Sequence, residues 1–347
     1  MFAFIESHLT EQPIANPSNH VHIVDNLGTS SINPQARVSS EQSWINTSVC
    51  GTAFEKAGGY AVAGWLRTTL LRAYAQTPEH PTKYRMVRWL GRHVFPEAGI
   101  LCRAYPDIDL YLHPRDWIEY LLLRGDKYEP LTLMFLEENL RAGDVAIFAG
   151  VNFGLHVAVA ARAVGEHGLV VGIEPQPAAL LRAAQNLRLN DLLHRVRLVS
   201  AALGGREELV PMAWAESANP GAASLLDEGS GLTVPVLPLS LIINTLESQT
   251  VRLLLLDVQG YESQALAGLG RDCRPEILVV EIDPKFLAKA KTSSAAVLSQ
   301  IVELGYSLHS LDGTKKTPDC KSLPEQNVIC LRTDREISWP GVSRLQV

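Results

Sequence analysis

From about residue 145 onward, apolar positions alternate between two rhythms. Short, nearly unbroken apolar runs of strand length recur: Val145-Ala-Ile-Phe148, Leu169-Val-Val-Gly-Ile173, Val196-Arg-Leu-Val-Ser200, Val251-Arg-Leu-Leu-Leu-Leu-Asp257 and Ile277-Leu-Val-Val-Glu-Ile282. Between and after them lie Leu155 to Val164, Pro177 to Leu189, Glu262 to Leu269 and Ser294 to Leu304, with apolar residues at helical spacing. Continuous apolar strands alternating with helices predict a mostly parallel sheet covered on both faces. Tyr306 to Leu311 and Asn327 to Leu331 read as two closing strands with no helix between them. They predict an antiparallel last strand.

The rest of the chain follows other patterns. Residues 1–50 are rich in Ser, Asn, Pro and Thr and lack sustained periodicity, which predicts a disordered or loosely packed arm. Residues 51–140 read as a mainly helical extension. Its predicted helices run from Tyr60 to Tyr74, Tyr84 to Val94, Pro114 to Leu123 and Pro130 to Leu140, with a short strand at Leu110 to Leu112. Arg85, Arg88 and Arg92 share one helix face, most simply a solvated one. Residues 204–250 form an insertion with hairpin-like pieces at Glu208 to Trp214 and Leu232 to Leu237. The main domain is placed at 141–335, and a tail at 336–347.

The first strand leads into Phe148-Ala-Gly-Val-Asn-Phe-Gly154, and the second ends at Glu174-Pro175. A strand, a glycine turn, a helix and a second strand tipped by a carboxylate make a βαβ nucleotide site. Glycines let backbone N–H groups approach a ligand closely, and a carboxylate accepts hydrogen bonds from ribose hydroxyls. The spacing is GxxxG, with Asn152 between the glycines, rather than the GxGxxG of a nicotinamide dehydrogenase.

Composition narrows the partners. The chain has 347 residues, 46% hydrophobic and 20% charged, which is ordinary globular usage. A net charge of −6 gives no support to nucleic-acid binding. The five cysteines have no CxxC spacing, which suits free thiols and a cytoplasmic location better than a disulfide framework. No membrane span is expected: the charge-free run from Val145 to Ala161 is broken by Gly150, Asn152, Gly154 and His156. The first residues lack the basic segment of a secretory signal. Asp257, Glu281 and His309 show no metal-ligand spacing, so no required metal is expected.

Seven ordered blocks bear a resemblance. They are Asp116-Trp-Ile-Glu with Gly125-Asp-Lys-Tyr-Glu-Pro130, Gly150-Val-Asn-Phe-Gly154, Ile173-Glu-Pro-Gln-Pro177, Asn186-Leu-Arg-Leu-Asn190, Ser200-Ala-Ala-Leu-Gly204, Val234-Pro-Val-Leu-Pro-Leu239 and Leu256-Asp-Val-Gln-Gly-Tyr-Glu262. Together they resemble the FkbM family of S-adenosylmethionine (SAM)-dependent methyltransferases, over roughly Asp109 to Leu331. The resemblance implies a Rossmann-like class I methyltransferase sheet: seven strands, mostly parallel, the last antiparallel. The two closing strands fit that expectation. The chain departs from the family at Phe148, where an acid is usual, and at Gln259, where Glu is usual.

The resemblance also assigns roles. Gly150, Asn152 and Gly154 are expected to form the cofactor turn and Glu174 to hold the ribose. Ser200 and Ala201 would flank the adenine. Asp257, at the end of the fourth strand, is expected either to act as general base, to orient substrate and cofactor, or to cap the strand. Glu262 and His156 are further catalytic candidates, each with a structural alternative as a helix-dipole or packing residue, and Glu281 is another candidate base. The expected activity is O-methylation of a hydroxyl on a small molecule such as a sugar or secondary metabolite. The alternative is a methyltransferase fold that has lost catalysis and serves as a binding or scaffold protein.

Overall fold

The computed structural model describes residues 67–94, 99–212, 232–246, 250–270, 274–317, 326–332 and 337–340. The predicted arm at 1–50, the start of the first helix, the middle of the insertion and most of the tail lie outside them.

The predicted rhythm becomes an eight-stranded sheet. Its strands are β3 (Val145–Ala149), β4 (Leu169–Ile173), β5 (Val196–Val199), β9 (Val251–Leu256), β10 (Ile277–Ile282), β11 (Tyr306–Ser310), β12 (Lys315–Lys316) and β13 (Gln326–Arg332). Their spatial order is β12-β11-β13-β10-β9-β3-β4-β5. The pairs from β10 through β9, β3 and β4 to β5 are parallel. β13 slots between β10 and β11, antiparallel to both. This is the predicted sheet with its antiparallel last strand, extended by the two-residue β12.

Strand periodicity sorts side chains onto two cores. Ala146, Phe148, Leu253, Leu255, Ile277 and Val279 face one apolar cluster; Ile147, Ala149, Leu254, Leu256, Leu278 and Val280 face the other. The first cluster is completed by helices α1 (67–75), α2 (Lys83–Val94), α3 (Trp117–Arg124), α4 (Pro130–Asn139), α5 (Leu155–Val164) and α6 (Pro177–Leu189). The second is completed by α7 (Leu239–Asn244), α8 (Glu262–Ala267), α9 (Pro284–Lys289) and α10 (Ser294–Glu303). The extension therefore shares one core with the sheet.

The extension also carries a hairpin that the periodicity shows only in part. β1 (Ile100–Tyr105) pairs antiparallel with β2 (Ile108–Leu112). β1 buries Ile100 and Cys102, but its outward Leu101 is also apolar and 50% exposed, which blurs the alternation. α6 holds the β2 edge through two asparagines one turn apart. Asn186 Oδ1 accepts the Tyr111 N–H (2.8 Å), and Asn190 Oδ1 accepts the Asp109 N–H (2.9 Å). Within the insertion, β7 (Glu208–Met212) and β8 (Leu232–Leu237) form the expected antiparallel pair, and β6 (Ala202–Leu203) adds in parallel to β8.

Local sequence sets the element ends. Asp116 caps α3, its carboxylate accepting the Ile118 N–H at 3.0 Å, so the helix begins later than the proline-led reading placed it. Pro130, Pro177 and Pro284 sit in the first turns of α4, α6 and α9, where a missing N–H costs nothing. Among the described residues no helix is long and apolar enough to cross a membrane.

Candidate active site

β3 stands between β4 and β9, and the chain leaves these parallel strands in opposite directions, so their C-terminal ends open a crevice. Ala149, Gly150 and Asn152 line one wall, and Ile173, Glu174, Pro175 and Gln176 a second. Ala201, Ala202, Leu203 and Met212 supply an apolar side, and Asp257, Val258, Gln259 and Tyr261 close the cleft.

The glycine turn is shaped by close backbone contacts. Gly150 has φ 90°, and a Cβ there would stand 2.0 Å from the Asp257 carbonyl oxygen, so no side chain fits. The Asp257 N–H in turn donates to the Ala149 carbonyl (2.9 Å), joining the ends of β3 and β9. Asn152 takes the left-handed conformation at φ 51°. The buried Glu174 carboxylate braces the turn: it accepts the N–H groups of Val151 (3.2 Å), Asn152 (3.3 Å) and Gln176 (3.0 Å). Burial pushes the Glu174 carboxyl above its usual range, and those three hydrogen bonds oppose the shift. Gly154 caps α5 away from the cleft wall, where a Cβ would press on Ala183 of α6 at 3.2 Å.

The other end of the cleft is acidic. Gln259, strained at φ 52°, points its amide at two acids: Nε2 donates to Asp257 Oδ1 (2.6 Å) and to Glu281 Oε2 (3.0 Å). The Gln259 amide thereby bridges the carboxyl groups of Asp257 and Glu281. Burial raises the Asp257 pKa, and the nearby Glu129 carboxylate adds to the rise. A neutral amide at 259 is what this arrangement can use, since a Glu there would add a third carboxylate with no hydrogen to donate.

Glu262 is 2% exposed and is not a cleft wall. It turns back on its own loop, Oε1 accepting the Gly260 N–H (3.1 Å) while Oε2 is buried without a hydrogen bond. Burial lifts its pKa to about 7. His156, in the first turn of α5, forms an ion pair with Glu129, with Nε2 3.3 Å from Oε2. Burial lowers the His156 pKa, but Glu129 and then Asp257 more than reverse this, leaving it above its usual value.

The structure therefore gathers Gly150, Asn152, Glu174, Ala201 and Asp257 around one cleft. Ser200 is exposed beside it; Gly154, His156 and Glu262 stand behind its walls. Phe148, where the resemblance places an acid, is fully buried in the core that faces α4 and α5 and touches no part of the cleft. Met212 went unread because it sits in the insertion, and Leu203, part of the Ser200–Gly204 block, was given no role there. Glu129 went unread because the extension's part in the site is tertiary. Among the described residues no group of three or more His, Cys, Asp or Glu side chains is arranged to hold a metal ion.

Comparison with known proteins follows the same line. No curated protein sequence matches the chain. Solved structures that match include a putative rRNA methylase from Clostridium thermocellum (15% identity, 59% of this chain and 95% of that chain, TM-score 0.37). A SAM-dependent O-methyltransferase from Thermotoga maritima matches at 14% identity, covering 61% of this chain and 68% of that chain, with a TM-score of 0.35. The O-methyltransferase TomG from Streptomyces achromogenes, solved with SAM, matches at 15% identity, 59% and 78% coverage and a TM-score of 0.35. Scores this low place no constraint on the acceptor. Residues 149–308, from the end of β3 through β11, match the model of the methyltransferase FkbM domain. The chain carries a methyltransferase FkbM domain, which places it among the S-adenosylmethionine-dependent methyltransferases.

Proposed function

We propose that the chain methylates a hydroxyl group of a small molecule, such as a sugar or secondary metabolite, using SAM bound in the cleft at the ends of β3, β4 and β9. The observation that carries the reading is the Asp257–Glu281 pair, bridged by the Gln259 amide, at the acidic end of the same cleft that holds the glycine turn and Glu174. The residues fit the cofactor. The apolar side at Ala201, Leu203 and Met212 suits an adenine, and Glu174 Oε1 accepts one hydrogen bond from the described residues, leaving a lone pair for a ribose hydroxyl. The bound cofactor supplies an electrophilic methyl group on a sulfonium.

The chain supplies alignment and a proton acceptor. Walls at Gly150–Asn152 and Asp257–Tyr261 orient the acceptor hydroxyl and strip water from it. Asp257, with its pKa raised and its partner Glu281 beside it, takes the hydroxyl proton as the new bond forms. Gly154 and Glu262 support this site from behind, by fitting α5 against α6 and by holding the Gly260 loop.

The test is calorimetry with SAM, followed by transfer of labelled methyl from SAM to a panel of sugars and hydroxylated metabolites. Asp257→Asn is expected to reduce turnover by roughly 100-fold or more while leaving SAM affinity within a few-fold; equal losses in both would remove Asp257 as base. Phe148 motivates the second reading, a non-catalytic binding protein: its burial leaves the end of β3 without an acid. SAM binding without transfer to any member of the panel would favour that reading.

A further inference from the structure

Glu129 is unusual in three respects at once. It belongs to the N-terminal extension, yet it reaches the helix that follows the glycine turn, forming the ion pair with His156 at 3.3 Å. It holds a left-handed backbone, φ 42° and ψ 51°, as the N-cap residue of α4 while giving that helix no side-chain cap. A non-glycine residue bears such strain where the surroundings over-determine it; Asn152 and Gln259 at the cleft bear it too. Its carboxylate is also held from the sheet: Asn327 of β13 donates Nδ2 to Oε2 at 2.8 Å and to Thr132 Oγ1 at 2.9 Å. Residues of α5 and β13, distant in sequence, thus converge on one carboxylate at the start of α4.

Groups facing His156 come from every side. Glu129 pairs with it from the α4 N-terminus, Tyr128 packs edge-on with ring centroids 6.1 Å apart, and Asp257 acts on it from the end of β9. Asp257 in turn accepts the Gln259 amide, which also reaches Glu281. The imidazole is the proton-exchanging cation of an otherwise acidic cluster, and its side chain keeps 18% exposure.

We propose that Glu129 is a positioning residue that fixes His156 beside the acidic end of the cofactor cleft, so that the protonation of His156 sets how strongly the cleft prefers the cationic sulfonium SAM over the neutral thioether S-adenosylhomocysteine (SAH). This rests on the reading of the cleft as the SAM site. SAM and SAH share every group except the methyl and its positive charge. A protonated His156 offsets one carboxylate of the cluster and opposes that charge; the neutral imidazole restores it. One unit charge near the sulfonium in a partly hydrated site changes the preference roughly 3- to 10-fold.

The experiment uses the full chain and both ligands. Dissociation constants for SAM and SAH are measured by calorimetry from pH 5.5 to 8.5 for wild type, Glu129→Gln and His156→Gln. Histidine C2–H NMR titrations run in parallel, with the His156 signal identified by its loss in His156→Gln. In wild type the ratio of SAH to SAM dissociation constants is expected to climb roughly 3- to 10-fold with pH, with the midpoint of the His156 titration. In Glu129→Gln the imidazole loses its carboxylate, so both midpoints should fall together. In His156→Gln the ratio should be flat, which tests the proposal even where Glu129→Gln fails to fold. A pH-independent ratio in wild type, or a His156 midpoint unmoved by Glu129→Gln, overturns the proposal. Failure of both SAM and SAH to bind overturns the cofactor reading first and the proposal with it. Normal binding with a flat ratio overturns the proposal alone.

Discussion

Glu174 does two things with one carboxylate. Two oxygens accept three backbone N–H groups, two of them from the glycine turn, so the residue builds the turn as well as lining the cleft. Glu174→Ala is therefore expected to weaken SAM binding by about 1–3 kcal/mol and to lower the melting temperature as well; calorimetry and thermal melts check both, and unchanged SAM affinity would remove the ribose assignment. Glu262 offers a prediction in pH. Its pKa rises from an ordinary carboxylate value to about 7 because it is buried. The folded state thus holds the proton more tightly than the unfolded chain. The stability this lends is fully present below the unfolded value near 4.5 and is lost as pH rises through 7. Denaturant titrations should show the wild type losing roughly 3 kcal/mol across that window, and Glu262→Gln much less. Equal pH slopes would mean that Glu262 is ionised throughout.

At the scale of elements, α6 links the hairpin to the turn. Asn186 accepts the Tyr111 N–H of β2 with Oδ1 and donates Nδ2 to the Phe153 carbonyl of the glycine turn (2.9 Å). Asn190 repeats the grip one turn later, at Asp109. The Asn-x-x-x-Asn spacing, one of the blocks behind the family resemblance, thus serves packing rather than the ligand. Asn186→Leu strands a buried donor and a buried acceptor, with an expected cost of roughly 2–4 kcal/mol by urea denaturation. A loss under about 0.5 kcal/mol would show that the hairpin edge rebuilds its hydrogen bonds elsewhere.

At the scale of the molecule, the described part of the extension is built into the domain. Leu71, Val87, Leu110, Tyr120 and Leu136 share one apolar cluster with Phe148, Leu253 and Val279 of the sheet. Glu129 and Asn327, nearly two hundred residues apart, meet beside His156 of α5. Hydrogen exchange followed by mass spectrometry should accordingly show peptides from β2 and α4 opening with those of β3 rather than ahead of them. Early, separate exchange of the extension would argue for an independently folding unit.

Most of the sheet was legible in the sequence because its strands are buried on both faces and so appear as uninterrupted apolar runs. β3, β4 and β10 begin and end within a residue of where those runs place them. The turn residues and Glu174 were legible for a similar reason: tight backbone turns restrict residue choice locally. β1 escaped because an apolar residue faces outward, and α9 because six residues hold too little period. The order of strands, with β13 between β10 and β11, required the folded chain to confirm it. Only the tertiary structure could bring Gln259 between Asp257 and Glu281, or Glu129 onto His156, because side-chain pairing across distant segments leaves no periodic mark on any one of them. The sequence by itself determined the scaffold and the glycine turn, through local burial and backbone geometry. The tertiary structure alone decided which charged groups share a site, because electrostatic partnership depends on distance in space.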